Sequence, residues 1–343
     1  MSTEKILILS ALAFSGSYFL TPWVRKLSEK VGAMDLPGKR KIHTEPTARG
    51  GGVAIFLGFF LAFLFLNRLS PEIIGFAIGA FVIVGVGVLD DMLGLSALPK
   101  FIFQALAALI VIYSGTTIDL NMALGGKIAG FNYLSIPLTF FWIVGITNAI
   151  NIIDGLDGLA AGISTISAFT ISAVAFLLGR PVEGTLALML GCAALGFLPH
   201  NFRSRIFMGD LGSMFLGYSL ATISVMGMVK ISAAFSLFVP LIILAIPIFD
   251  TLFAITRRIV TRKPIYEGDQ KHIHHRFLDM GFSSLQTVIF MYVLSFFFAG
   301  LAILSAMAKP KTSYMIFLAS VVLVVFGGWI LVIVHQKKTG LKN

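Results

Sequence analysis

The stretch Asn148-Ala149-Ile150-Asn151-Ile152-Ile153-Asp154-Gly155-Leu156-Asp157-Gly158 decides how the rest of the chain is read. An apolar run over 136–146 leads into it, and another begins at Leu159. Amides and carboxylates therefore recur every third residue where one hydrophobic span gives way to the next. Residues three apart are neighbours on a helix, so Asn148, Asn151 and Asp154 are expected along one edge. Gly155 and Gly158 are expected to break that helix and bare its backbone. Oxygen-rich side chains at a membrane rim suit a hard cation and a phosphate. The plainer reading is a polar turn between helices, capped by Asn and Asp. Four such residues at this spacing favour the ligand.

The surroundings of that stretch are those of a membrane protein. Hydrophobic residues make up 57% of the 343 and charged residues 12%, against about 25% charged in soluble domains. Mean hydropathy is +0.93. The expected fold is all-α and polytopic, a single membrane-embedded domain over 1–343. Eleven spans are expected, near 5–23, 51–67, 73–89, 101–114, 136–147, 159–178, 184–198, 211–229, 233–254, 284–307 and 313–334. Several fall short of the ~20 residues a bilayer needs, so their helices should run on into the polar ends. Ala11-Leu12-Ala13 mimics a signal-peptide cleavage site, but the apolar run continues to Leu20 and reads as a span. The single Cys192 excludes an intramolecular disulfide and argues against a thiolate metal site.

Charge sets the expected orientation. Of 26 Lys and Arg residues, 19 lie in the loops 24–50, 90–100, 148–158, 199–210, 255–282 and 335–343. Positive loops mark the cytoplasm, which puts the N-terminus outside and the C-terminus inside. The net charge of +10 then reflects topology and anionic lipids or substrates. With no compact basic domain, it does not point to nucleic acid. Twelve of the 16 acidic residues also fall on that side, where charge is costly unless paired or used. One face is expected to carry the chemistry.

Four further segments of that face stand out. Residues 35–52 place Lys39, Arg40, Lys41 and Arg49 before Gly50-Gly51-Gly52, a pattern that suits phosphates or lipid headgroups alike. The three glycines are expected to let the backbone pack tightly as the second span starts. Asp90-Asp91 end the third span, neither at a helix N-terminus where the dipole would help. They call for a metal, a proton or a cation such as Lys100, the alternative being a solvated helix end. Asp210 opens a span between glycines, as a cap or as a ligand, with Arg203 and Arg205 upstream. Phe207 is either core or a surface for a base to stack on. Asp250 precedes the cluster His272-Ile273-His274-His275-Arg276. No Cys or second His pair accompanies these histidines, so a diphosphate clamp suits them better than zinc. Walker, nucleophile-elbow and kinase signatures are absent from the sequence.

Taken in order, these motifs resemble the polyprenyl-phosphate N-acetylhexosamine-1-phosphate transferases, and the resemblance covers nearly the whole chain. Ile273 interrupts the histidine run and Arg276 follows it, which is similar to the GlcNAc branch of that family rather than to the phospho-MurNAc-pentapeptide transferases. The resemblance implies that polyprenyl phosphate attacks the sugar-linked phosphorus of a UDP-N-acetylhexosamine, most simply UDP-GlcNAc. UMP leaves, and the lipid-linked sugar starts envelope glycans such as teichoic acid or lipopolysaccharide. It implies Mg²⁺ or Mn²⁺ on Asp210 and Asn151, with Asp90 as base or orienting group and Asp91 beside it. Lys100, His272, His274, His275 and Arg276 would neutralise phosphate. Asn148, Asp154 and Phe207 would hold the uridine, and Asp157 completes the acidic set. Membrane lipids, the two substrates and a second copy in a homodimer are the implied partners, at the plasma membrane with the site facing the cytoplasm. The rival class, a lipid-phosphate transporter, calls for ionisable groups near mid-bilayer and an internal repeat, neither of which the sequence shows.

Overall fold

The computed structural model describes residues 1–35, 46–118, 132–202, 204–228, 233–262 and 272–339. Among these the chain is helical throughout, apart from one two-stranded ribbon. Helices α1 (Thr3–Val31), α2 (Gly52–Phe63), α3 (Pro71–Leu93) and α4 (Ala97–Tyr113) are followed by α5 (Asn132–Ile153), α6 (Leu159–Leu177) and α7 (Pro181–Asn201). Then come α8 (Gly209–Met228), α9 (Ala233–Ile243), α10 (Ala245–Val260), α11 (Ile273–Asp279), α12 (Ser284–Met307) and α13 (Pro310–Thr339). Seven of them, α1, α3, α5, α6, α7, α12 and α13, are long and apolar enough to cross a membrane. The protein is a multi-pass membrane protein.

Each expected span contains a helix, and several helices overrun the apolar run as bilayer thickness requires. Helix α3 continues to Leu93, so Asp90 and Asp91 are helical, and α5 continues to Ile153, carrying Asn148 and Asn151. The expected span 233–254 is corrected: it is two helices, broken at Leu244. Pro247 explains the break. It has no N–H to offer the Ile243 carbonyl, and its ring crowds that oxygen. The flanking bonds survive, with Leu244 N–H on Pro240 O (3.0 Å) and Ile248 N–H on Leu244 O (3.1 Å).

Local signals fix the helix starts. Ser70 accepts from Ile73 N–H with Pro71 in the first turn, and Ser283 forms a capping box with Gln286. Helices α6 and α8 occupy the centre. Gly52, at the start of α2, lies so close to α8 that an added Cβ would stand 2.2 Å from the backbone nitrogen of Gly212. The close packing expected of the triple glycine is therefore present.

The ribbon pairs β1 (Met34–Asp35) with β2 (Thr47–Ala48) in antiparallel register, Met34 against Ala48 and Asp35 against Thr47. The other edge of β2 meets the segment before α8. Phe207 N–H donates to Ala48 O (2.8 Å), Gly51 N–H to Phe207 O (2.9 Å) and Gly52 N–H to Met208 O (2.8 Å). Two loops distant in sequence thus become one backbone brace at the mouth of the bundle.

Candidate active site

The N-terminus of α8 is where α3 and α4 converge. Lys100 on α4 donates to Asp210 Oδ2 (2.8 Å) and to Asp90 Oδ2 (3.1 Å). The second oxygen of Asp90 accepts from Leu95 N–H (2.7 Å), so both of its oxygens are engaged. Asp91 turns the other way. Its carboxylate accepts from the backbone N–H groups of Asp210 (2.9 Å) and Leu211 (3.4 Å). The expectation that neither aspartate profits from a helix dipole is corrected for Asp91, which caps a different helix from its own. Gly209, at φ +77°, is what admits that cap, since a Cβ there would lie 2.5 Å from Asp91 Oδ2.

The end of α5 supplies the second wall. The amide nitrogen of Asn151 donates to Ser213 Oγ (2.8 Å), and its side chain lies within interaction range of the Asp210 carboxylate. One turn deeper, Asn148 donates to Gln104 Oε1 (2.6 Å) and to Val144 O (2.8 Å). Asn148 and Asn151 fall three apart on α5, but Asp154 lies beyond its end, which corrects the expected three-residue edge, and Asn148 is committed to Gln104. Helix α5 ends at Ile153, as the glycines led one to expect, and Asp154 sits in the turn. Loss of solvent, then the carboxylates of Asp210, Asp91 and Asp157, hold the Asp154 carboxyl well above the usual carboxylate range. Asp157 accepts from the Ser204 hydroxyl. Gly158, at φ +79°, is clamped from both sides: its N–H donates to Asn201 Oδ1 (2.7 Å) and its carbonyl accepts from Tyr292 (2.5 Å).

The histidine segment folds as α11 against this turn. Asp250 on α10 is buried, accepts from Ile273 N–H (2.8 Å) and lies 3.1 Å from His272 Nδ1. His274 is 1% exposed, neither ring nitrogen has a hydrogen-bond partner, and its edge packs against Gly155. Burial lowers its pKa to about 3, His275 and His272 add to the drop, and Asp250 opposes it. At neutral pH His274 therefore brings an uncharged ring to the site rather than the cation a clamp would use.

These elements enclose a cavity of about 620 Å³, lined by Asp91, Asp154, Asp157, Phe207, Asp210 and His275 from the expected set. Asp90, Lys100, Asn148, Asn151, His272, His274 and Arg276 are not part of its wall; Asp90 and Lys100 stand behind Asp210 and hold it. Sequence reasoning assigned no role to Gln104, Asn201 or Tyr292, and took Arg49 only as one of the cations beside the glycines. Arg49 lines the cavity and pairs with Asp35. Its position directly before the triple glycine was the one available signal. Lys39 to Lys41 and Arg203 lie outside the described residues. Among the described residues no group of three or more His, Cys, Asp or Glu side chains forms a ready-made metal cage.

Comparison with known proteins agrees with this architecture. Residues 73–228 match the family model described as glycosyl transferase family 4. A probable undecaprenyl-phosphate N-acetylglucosaminyl 1-phosphate transferase of Bacillus subtilis is 39% identical over 94% of this chain and 90% of its own length. A decaprenyl-phosphate N-acetylglucosaminephosphotransferase of Mycobacterium tuberculosis is 35% identical over 89% of this chain and 84% of its own. An undecaprenyl-phosphate alpha-N-acetylglucosaminyl 1-phosphate transferase of Thermotoga maritima is 33% identical over 76% and 78%. With matches of that identity running nearly end to end, the chain belongs to glycosyl transferase family 4.

Proposed function

We propose that this protein transfers GlcNAc 1-phosphate from UDP-GlcNAc to a polyprenyl phosphate, releasing UMP and starting an envelope glycan. The observation that carries the reading is the convergence of Asp91, Asp154, Asp157 and Asp210 on one cavity at the end of apolar helices. A soluble nucleotide and a membrane-bound acceptor meet only at such a rim. The names of the relatives supply the acceptor and the sugar. Eleven spans, an outer N-terminus and a cytoplasmic site are part of the same reading, supported by the Lys and Arg asymmetry of the loops.

In the reaction a phosphate oxygen of the lipid forms a bond to the sugar-linked phosphorus, and the bond from that phosphorus to the UMP oxygen breaks. Such transfers need alignment and charge neutralisation more than covalent help. Both Asp90 oxygens are engaged, by Leu95 N–H and Lys100, which supports an orienting role over that of a base. Lys100 fixes the rotamer of Asp210, and Asp91 fixes the helix end that carries it. Phe207 offers its ring to uracil, and His275 meets phosphate oxygens.

The carboxylate oxygens that line the cavity beside Asp210 suit a hard dication, and the Asn151 amide lies within interaction range of Asp210. Asp210 and Asn151 would hold Mg²⁺. Bound there, Mg²⁺ would offset the negative charge of the phosphates. The test is UMP release by purified protein supplied with polyprenyl phosphate, a panel of UDP-sugars and Mg²⁺, with and without chelator. Preference for UDP-MurNAc-pentapeptide over UDP-GlcNAc would move the enzyme to the peptidoglycan branch. Absence of UMP release with every sugar would remove the transferase reading.

A further inference from the structure

The cavity is strongly acidic for a site that takes an anion. Asp35, Asp91, Asp154, Asp157 and Asp210 line it, and Arg49 is the only Lys or Arg to do so among the described residues. Carboxylates at this density repel a nucleotide diphosphate unless a cation meets it. Arg49 is built into the wall. Its carbonyl accepts from the Ser28 hydroxyl (2.6 Å) and its N–H donates to Ala33 O (2.9 Å). Asp35, 7% exposed, pairs with Nη2 of the guanidinium. That pair occupies one edge of a planar group with five donors, setting its plane and leaving donors to turn toward a ligand. The side chain keeps 39% of its surface open. The residue before it, Ala48, accepts from Phe207 N–H, which ties this strand to the segment carrying Phe207, and the Arg49 and Phe207 side chains both line the cavity.

We propose that Arg49 is a binding residue for the phosphate oxyanions of the nucleotide, with Asp35 as the positioning residue that orients its guanidinium. The proposal rests on the reading of the cavity as a UDP-sugar site and names a further group, beside Mg²⁺ and His275, that meets the diphosphate there. A phosphate oxyanion is also present on the lipid acceptor. Because Arg49 lines the same cavity as Phe207, the proposed surface for the base, it is assigned to the nucleotide.

The experiment compares full-length wild type, Arg49→Gln and Arg49→Lys in detergent. It measures Kd for UDP and uridine by calorimetry, and KM for UDP-GlcNAc and polyprenyl phosphate from UMP release. Arg49→Gln is expected to weaken UDP binding and raise the KM for UDP-GlcNAc by ~10- to 100-fold, the loss of a charge-assisted contact. Uridine affinity and the KM for polyprenyl phosphate are expected to stay within ~threefold of wild type, because neither ligand needs the guanidinium. Arg49→Lys should recover part of the UDP affinity, keeping the charge but not the fork. Equal losses for UDP and uridine would mean that Arg49 only ties β2 to β1, and would overturn the proposal. So would a KM change confined to polyprenyl phosphate, or unchanged UDP affinity. If Arg49→Gln fails to fold, Arg49→Lys decides: UDP affinity equal to wild type overturns the proposal, and a loss confined to UDP supports it. A wild type that binds UDP but releases no UMP from UDP-GlcNAc would refute the transferase reading alone, since UDP binding still reports on Arg49.

Discussion

Helices α6 and α13 are both apolar enough to cross a membrane, yet they live in different solvents. Of the apolar stretch of α6, 83% is buried inside the protein; of that of α13, 6%. The more hydropathic helix is the less buried one, with a mean hydropathy of 2.8 for α13 against 1.8 for α6. Lipid tails are as apolar as leucine, so hydropathy gives no preference for the protein interior, and close backbone approach decides instead. Helix α6 carries Gly162, Ser164, Thr165, Ser167, Thr170 and Ser172, whereas α13 runs Val321-Val322-Leu323-Val324-Val325-Phe326. The chemistry hangs on the packed helices. The turn Asp154–Gly158 leads into α6, and Asp210 opens α8.

That contrast can be broken at its most sensitive point. Asp210→Asn keeps the size of the side chain but removes the charge that Lys100 holds and that Mg²⁺ would use. A loss of ~100- to 1,000-fold in UMP release is expected, typical of removing one electrostatic contributor. Near-normal turnover at limiting Mg²⁺ would remove Asp210 from the proposed metal site. Gly52→Val tests packing without touching a functional group. Its branched side chain meets the α8 backbone at Gly212, and overpacking of that kind costs about 1–3 kcal/mol. A lower thermal midpoint in detergent and a matching fall in activity are the expected readouts. An unaltered midpoint would show that α2 and α8 do not pack as described.

Asp91→Ala should act more gently, by releasing the cap that holds the N-terminus of α8. Losing a cap costs about 0.5–2 kcal/mol, or roughly 2- to 30-fold if the whole loss reaches the transition state. The effect should appear in kcat with the KM for UDP-GlcNAc little changed. A large rise in KM instead would place Asp91 in direct contact with substrate. At the low end of the scale, Gly327→Leu on α13 adds a side chain where nothing lies within 4 Å of the added Cβ. A stability change within about 0.5 kcal/mol is expected in detergent unfolding. A larger loss would mean that another surface covers α13.

Much of this was legible in the sequence, and for identifiable reasons. Helix positions followed from hydropathy, because the bilayer leaves the backbone no alternative to satisfying itself. The end of α5 at Ile153 followed from the spacing of Gly155 and Gly158. Other features were hidden by their nature. Asp90 and Asp91 are adjacent and chemically alike, yet successive residues on a helix point about 100° apart, so one meets Lys100 and the other meets a foreign helix end. The commitment of Asn148 to Gln104 joins residues 44 apart, and the histidine clamp lost two members because His272 and His274 face the protein interior. Pro247 was visible, but only the bond missing at Ile243 turns it into a break. Nothing in the local sequence announces that β2 pairs with the segment before α8.

That last pairing has a consequence for how the molecule is made. The brace from Ala48 to Phe207, and the contact of Gly52 with Gly212, join the second helix to the eighth. A ribosome adding 5–20 residues per second separates those two events by roughly 10–30 s. During that interval α1 and α2 wait with an unpaired strand edge and an unfilled glycine groove. Nascent chains arrested before residue 206 should therefore leave residues 46–52 open to protease, and chains arrested well past α8 should protect them. Assembly of the catalytic mouth is then a late step of synthesis, timed by the arrival of α8 rather than by the insertion of the first helices.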